Sequence, residues 1–416
     1  MKNKKIRVGV IGGGIAGLTF VNFLQKNNNF EIEIFEKKKY KQNNLSGIQL
    51  SNNAIEVLKK LEFYQLNKKK YSIIKNINIV DYETNKIISE LLLKNLNNKN
   101  KYICIDRNEL INFLIKKISK TSFIHKEAVN IKNNAIVFSD HSSKQFDFIV
   151  VADGTFSKIR NKVCDKSVAH NSNMVAYKGI VRDTKNYNKQ RINLYLGSKK
   201  HFVLYPINSL GDFSYTAVFA STILSGNKSY EIPVENTNHL LEISKDAHDD
   251  IKNILRSSKH VYRWPIYYHR QFFFGKENIF FIGDSAHAIV PFQAQGAAQA
   301  IEDAYCLALM FKNKIFSLNQ FKNQRISRIS MIASKSFNNL FIYHLSNVVL
   351  KKLRNLVIKI IITIKYFTIL FLVKFIIINL KIRFRSNFLS QIINRLKLTF
   401  DIKVPIRPPI TRWSTL

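Results

Sequence analysis

Acidic residues are scarce in this chain. Only 28 Asp and Glu stand against 65 Lys and Arg in 416 residues, a formal net charge of +37 at neutral pH. A surplus of that size attracts anions, and nucleic acid or an anionic membrane would be the usual partners. No helix-turn-helix, zinc-finger or RNA-recognition pattern accompanies the charge, so no nucleic-acid partner is expected. The surplus reads as a compositional bias toward Lys, Asn and Ile that leaves a membrane surface open. Cysteine is equally sparse. Cys104, Cys164 and Cys306 are widely spaced and odd in number, which argues against a disulfide framework or a metal set and points to a reducing compartment. Proline and glycine, 7 and 14 in all, are too scattered to mark a linker, and no internal repeat is visible. The basic residues of Met1–Lys5 run straight into a strand with no separate apolar region, so no signal peptide is expected and the protein is read as cytoplasmic.

What is present is a folding chain. Hydrophobic residues make up 46% and aromatics 12%, enough at this length for two or three lobes with a shared core. The opening reads as strand (Ile6–Ile11), glycine turn, helix (Leu18–Leu24) and strand (Glu31–Glu36). That is a βαβ start with an acidic residue roughly 20 positions past the glycines, as a dinucleotide fingerprint requires. In the turn Gly12-Gly13-Gly14-Ile15-Ala16-Gly17, residues Gly12, Gly14, Ala16 and Gly17 are candidate cofactor contacts. They let a pyrophosphate approach backbone amides at a helix N-terminus, and Glu36 can accept hydrogen bonds from ribose hydroxyls. The alternative is a turn serving only backbone geometry.

Two later motifs change the weight of the first. Asp147–Val151 is a short buried strand entering Ala152-Asp153-Gly154-Thr155-Phe156-Ser157. Ile279–Ile282 is another, entering Gly283-Asp284-Ser285-Ala286-His287. A carboxylate at a strand's C-terminal end sits in the crevice where α/β folds bind ligands, so Asp284 is a candidate for ribitol hydroxyls. The segment Pro291–Ala298 opens a helix, Gln295–Phe311. There Gly296 and Ala297 would turn amides and a helix dipole toward the pyrimidine end of a flavin. His287, alone within its turn, reads as a structural hydrogen-bonder. Three motifs in this order build one site from distant segments and specify FAD rather than NAD.

The remaining pattern is a hairpin over Ser72–Leu91, a helix over Asn108–Ile118, and strands at Val175–Val181, Ile192–Leu196, Phe202–Tyr205, Tyr215–Phe219 and Val261–Tyr268. These predict an antiparallel sheet inserted between cofactor-binding segments. Within it His201 and Tyr205 lie four apart, on one face of a strand. A histidine or tyrosine there can take or share a phenolic proton, which makes the two a candidate catalytic pair. The alternative places Tyr205 in the core and His201 at an exposed strand end.

With these motifs the chain resembles the group A FAD-dependent aromatic monooxygenases. The glycine turn, Asp153-Gly154 with Ser157 and Arg160, and Gly283-Asp284 carry the likeness. Gly296–Ala304, Gly47–Ala54 and Tyr205-Pro206 resemble the salicylate hydroxylase-like branch of the para-hydroxybenzoate hydroxylase fold family. The similarity covers about residues 5 to 312. The resemblance implies an α/β fold: a Rossmann-like FAD-binding lobe, an inserted antiparallel β-sheet substrate domain and a helical C-terminal region. It implies NADH or NADPH as transient donor, a C4a-hydroperoxyflavin, and hydroxylation of a small aromatic substrate with O2. It also implies that Arg107 contacts FAD, that the Asp153-Gly154 motif serves FAD and the donor, and that related hydroxylases use a His-x-x-x-Tyr pair like His201 and Tyr205. Arg160 is either an anion contact or a solvated surface residue. No metal is implied. Departures are Lys178-Gly179 where Arg-Gly is common, Val151 where glycine is usual, and no asparagine near Ser214-Tyr215-Thr216.

The expected division is 1–71, 98–170 and 271–340 for FAD binding, 72–97 and 171–270 for substrate, and 341–416 for the C-terminal region. Residues 357–380 are very apolar but carry Lys359, Lys365 and Lys374, with basic flanks from Lys351 to Arg385. Buried helices, a monotopic helix on anionic lipid and a true span all stay open, and membrane contact through 351–385 is the expectation. It would suit a lipophilic substrate such as a quinone precursor. Two other functions remain. One is a same-fold flavin enzyme acting on an isoprenoid or quinone; a halogenase is disfavoured because Tyr262-Arg263-Trp264-Pro265-Ile266 does not match the motif of that class. The other is a membrane-associated flavin-binding protein without turnover.

Overall fold

A computed structural model describes residues 4–38, 46–93, 101–164, 168–182, 187–220, 232–234 and 236–363. Its first layer is a six-stranded sheet ordered Gly275–Lys276, Ile279–Phe281, Phe148–Val151, Ile6–Ile11, Phe30–Phe35, Ser122–Ile124. Every pairing is parallel except that of the two-residue edge strand. Parallel strands buried on both faces read as continuous apolar runs, which is why Ile6–Ile11 and Phe148–Val151 are legible as strands. The helices Ile15–Leu24 and Gly296–Lys312 cover one face. Phe311 anchors the core there: its ring lies 5.2–5.7 Å from those of Phe20, Phe148, Phe280 and Phe316. Such edge-on aromatic pairs add about 0.5–1.5 kcal/mol each beyond the area they bury.

The second layer is an eight-stranded sheet. Its order is Ile232–Pro233, Lys259–His269, Ala169–Val181, Phe213–Ala220, Lys200–Pro206, Arg191–Leu196, Asn76–Asp81, Ile87–Leu92. The hairpin expected over Ser72–Leu91 supplies its last two strands. The sheet is antiparallel except where Asn76–Asp81 runs parallel to Arg191–Leu196, so it is mixed rather than wholly antiparallel. The hairpin is an early excursion of the chain and joins the later strands through a long crossover, which leaves its direction free. The outer face is sealed by Leu240, Ile251, Ile254 and Leu255 of two short helices. A smaller sheet of Gly47–Leu50, Ile103–Asp106 and Tyr71–Ile73 lies against the inner face, and the Gly47 carbonyl meets Tyr205 there.

Helices Leu318–Tyr343 and Val348–Thr363 form the C-terminal region. The segment expected to touch a membrane is described only to Thr363, so residues 364–385 of it lie outside the described residues. Its described part buries one face, while Val348, Val349 and Leu356 stay exposed. Ile358 packs on Ile79 and Leu196, Arg354 is fully buried, and Lys351 Nζ binds Glu83 at 3.1 Å. No helix among the described residues is long and apolar enough to cross a membrane.

Helices Gly296–Lys312 and Leu318–Tyr343 are tied by a buried ionic cluster. Arg325, fully enclosed, donates from Nε to Asp303 Oδ1, from Nη1 to Glu302 Oε2 and from Nη2 to Gln299 Oε1, each at 2.7 Å. Burial alone would raise the Asp303 pKa, but His287 and Arg325 beside it hold it at about 2. Removing this cation leaves Glu302 only Arg328 and Asp303 only His287 and the Gly283 amide, a loss of about 3–5 kcal/mol. Arg325→Met is therefore expected to lower the urea midpoint by an amount equivalent to a few kcal/mol, read by circular dichroism. A midpoint equal to that of the wild type would contradict this account of the cluster.

Candidate functional site

Where the first strand ends, Gly12 has φ +101°, and a Cβ there would stand 2.4 Å from the Ala152 carbonyl oxygen. Only glycine lets the turn press against the Ala152–Gly154 segment, and so two of the sequence motifs meet. A Cβ on Gly17 would lie 2.0 Å from the Gly12 carbonyl, which explains the third glycine. Gly14 differs. It precedes the helix Ile15–Leu24 with an ordinary φ of −77°, and a Cβ there would meet nothing within 4 Å. Ala16 is buried under the same turn, its methyl near Gly283. Open space above a helix N-terminus is what a pyrophosphate requires.

Glu36 stands at the end of the second strand with its two oxygens held by backbone amides, Gly13 N to Oε2 at 2.8 Å and Lys38 N to Oε1 at 2.9 Å. Each oxygen keeps a lone pair for a ribose hydroxyl. Asp153 Oδ2 accepts from the Ser157 hydroxyl at 2.8 Å, while buried Oδ1 has no partner among the described residues. Burial raises its pKa to about 6. Gly154, beside it, has φ +90°.

Asp284 opens the four-residue helix Asp284–His287 and is exposed, yet desolvation raises its carboxyl pKa. Exposure together with desolvation describes a group facing a concave space walled by protein. A Cβ on Gly296 would stand 4.0 Å from Asp284 Oδ1, so the N-terminus of Gly296–Lys312, where Ala297 follows, shares that space. Arg107, the first residue of the helix Arg107–Lys116, and Lys178 from the second sheet both act on the Asp284 carboxyl electrostatically. Gly14, Glu36, Asp153, Asp284 and Gly296 thus present an open cradle, ribose acceptors, an orphaned buried oxygen and a helix N-terminus. This donor set fits FAD.

Arg160 belongs to the scaffold. Its buried guanidinium donates to the carbonyls of Ser285, Ala286 and Gln271 at 2.6–2.8 Å, stitching the second motif to the third. It is neither a solvated surface residue nor a free anion contact. His287 Nε2 lies 2.5 Å from Asp303 Oδ2, buried, and that same oxygen accepts the Gly283 amide at 2.8 Å. His287 holds the turn.

His201 and Tyr205 do share a face, but they flank something the sequence did not reveal. The register aligns Leu194, Val203, Thr216 and Lys178 in one row across four strands. All four are partly open. Their same-face neighbours Ile192, Tyr205, Ser214 and Ile180 on one side, and Leu196, His201, Val218 and Ala176 on the other, are buried. One half-buried row between two fully buried rows of the same face points to a concave space above it. Beside the row lie Tyr102, which packs in the same cluster as Val203 and whose hydroxyl donates to Gln49 Oε1 at 2.9 Å, and Trp264, whose ring lies 4.6 Å from Lys178 Nζ. Tyr205 donates to the Gly47 carbonyl at 3.0 Å and burial pushes its pKa up to about 12. His201 is covered by Phe292, Tyr343 and His344, with Nδ1 2.8 Å from His344 Nε2.

With this geometry in place, comparison with known proteins becomes informative. A family model described as an FAD binding domain matches residues 5–315. The chain is 24% identical over 356 residues to 3-hydroxybenzoate 6-hydroxylase 1 of Aquipseudomonas alcaligenes, covering 80% of this chain and 89% of that one. It is also 24% identical over 345 residues to the chloroplastic zeaxanthin epoxidase of Spinacia oleracea, covering 74% of this chain but only 47% of that one. Among solved structures, Klebsiella pneumoniae HpxO complexed with FAD and uric acid superposes with a TM-score of 0.73 at 18% identity, covering 84% and 92% of the two chains. A salicylate hydroxylase substrate complex gives 0.71 at 21%, covering 86% and 94%. At these identities the two structures speak for the fold.

Because a Cβ on Gly14 would meet open space, Gly14→Val should leave the apo-protein folded with an unchanged melting temperature. Its valine would occupy the cofactor's space, weakening FAD binding by at least about tenfold, or ~1.4 kcal/mol. Flavin fluorescence titration reads this out, and wild-type affinity in the variant would sink the assignment.

Proposed function

Since the chain belongs to the FAD binding domain family and is an FAD-dependent monooxygenase of the aromatic-hydroxylase type, we propose that it uses NADH or NADPH and O2 to hydroxylate a phenolic or hydroxybenzoate-like ring. The observation that carries this reading is the half-buried row Leu194–Val203–Thr216–Lys178, two aliphatic side chains followed by a hydroxyl and a cation whose charge reaches Asp284. A planar ring suits the aliphatic half, and Thr216 and Lys178 suit its polar or anionic substituent. The hydroxybenzoate named for the Aquipseudomonas alcaligenes relative is of this chemical class.

FAD, when bound and reduced by the nicotinamide donor, supplies the activation of dioxygen. The chain's own residues hold, orient and shield. Gly12, Gly14, Ala16 and Gly17 seat the pyrophosphate and Glu36 the adenosine ribose. Arg107, Asp153 and Gly154 contact the middle of the cofactor, and Asp284 its ribitol. Gly296 and Ala297 turn the helix N-terminus toward the pyrimidine end, where positive potential favours added electron density. His201 accepts the hydrogen of the ring hydroxyl, raising electron density on the ring. Tyr205 acts at one remove, since its hydroxyl holds the Gly47 strand that carries Gln49. The same reading divides the chain at the expected boundaries, with 72–97 and 171–270 forming the substrate domain around the second sheet.

Purified protein loaded with FAD should oxidise NADH or NADPH slowly alone and at least about tenfold faster with one member of a phenol, hydroxybenzoate and quinone-precursor panel. Stimulation by an isoprenoid or a quinone and by no phenol would move the activity to another chemistry of the same fold. Absence of stimulation by any ring compound would refute the hydroxylase reading.

A further inference from the structure

The direction of the protons in the His201–His344 pair follows from its far end. His344 Nδ1 lies 2.5 Å from the Leu340 carbonyl oxygen. A carbonyl only accepts, so Nδ1 carries the hydrogen. Burial, opposed by that carbonyl bond and reinforced by the charge of Arg354, holds the His344 pKa at about 4. The ring is therefore neutral at physiological pH and owns a single N–H, which leaves Nε2 as a lone-pair nitrogen. Nε2 lies 2.8 Å from His201 Nδ1, so the hydrogen between the rings belongs to His201. Burial also keeps His201 uncharged. Its one N–H is thus spent on His344, and its Nε2, without a hydrogen-bond partner among the described residues, can only accept. The pair is clamped by edge-on contacts of both rings with Phe292 and of His201 with Tyr343. Phe292 lies four residues before the helix N-terminus at Gly296.

We propose that His344 is a positioning residue that locks His201 in its Nδ1–H tautomer, so that the site presents an acceptor to the substrate and selects rings that bring a hydroxyl donor. An imidazole left to water has no such constraint and carries its hydrogen on either nitrogen. The reversed tautomer would offer a donor, which suits an ether or ketone as well as a phenol. The substrate half of this inference rests on the hydroxylase reading above; the tautomer half does not.

Long-range proton–nitrogen correlation spectra of histidine-labelled, FAD-loaded protein at neutral pH test it. His201 should show a protonated Nδ1 and an unprotonated Nε2. In His344→Gln, whose amide oxygen can stand in for the acceptor, that pattern should persist, and in His344→Leu it should be lost. In turnover, wild type and His344→Gln should favour a phenol over its methyl ether in kcat/KM by at least about tenfold, and His344→Leu should lose that preference while retaining flavin. A wild-type His201 protonated on Nε2 overturns the proposal even where phenols are turned over. The predicted tautomer with no turnover of any phenol would leave the positioning role standing and defeat the functional reading instead. Should His344→Leu fail to fold, the wild-type spectrum alone decides.

Discussion

Two adjacent carboxylates, Glu302 and Asp303, lie fully buried in the helix behind the cofactor cradle, and the rest of the site depends on how they are neutralised. An uncompensated charge in that position would be prohibitive. Arg325 from the following helix meets both, Arg328 meets Glu302 at 2.8 Å, and His287 and the Gly283 amide meet Asp303. The result is geometric as much as electrostatic. The turn that presents Asp284 cannot shift without breaking a bond to Asp303. Asn53, joined to Glu302 at 2.5 Å, pins the helix Asn52–Lys59 to the same point. Gln299, held by Arg325, donates to Gln295 Oε1 at 3.1 Å, and Gln295 donates to the Ser51 hydroxyl at 2.9 Å. That chain reaches the residue immediately before Gly296.

The second sheet solves a different problem. A face packed against another layer would ordinarily be covered throughout, leaving no room for a ligand. Here the chain leaves one register row open, with two aliphatic side chains, one hydroxyl and one cation. It seals the rows on both sides with His201 and Tyr205 among the sealing residues. Two of the sealing polar groups are bonded from outside the sheet, the Tyr205 hydroxyl to the Gly47 carbonyl and His201 Nδ1 to His344, while His201 Nε2 is left to accept. Lys178 closes the circuit between layers, since its charge reaches Asp284.

How much of this was legible in the sequence depends on range. Local rules were sufficient for the glycine turn, the helix at Arg107–Lys116 and most strands of both sheets, because apolar runs and turn chemistry act over a few residues. The three cofactor motifs were legible because a ligand forces specific residue types at strand ends. The open row was not, since it exists only once four strands adopt one register, and Leu194, Val203 and Thr216 look like any strand residues. Tyr102 and Gln49 were missed for the same reason: their bond joins the residue before one strand of the small sheet to the neighbouring strand. Arg160 could be left on the surface because no local signal distinguishes a solvated arginine from one that binds three carbonyls. His344 stood in the sequence within Tyr343-His344-Leu345-Ser346, and only the fold brings it to His201, 143 positions away.

The most direct measurement is the fate of the oxygen atoms. FAD-loaded protein, a nicotinamide donor and the ring compound that most accelerates donor oxidation would be incubated under oxygen-18 gas, and the product analysed by mass spectrometry. The account predicts a product that carries a single heavy oxygen on the ring, formed in step with donor consumed. Donor consumption that yields only hydrogen peroxide with the ring unchanged, or a new ring oxygen taken from water, would contradict it.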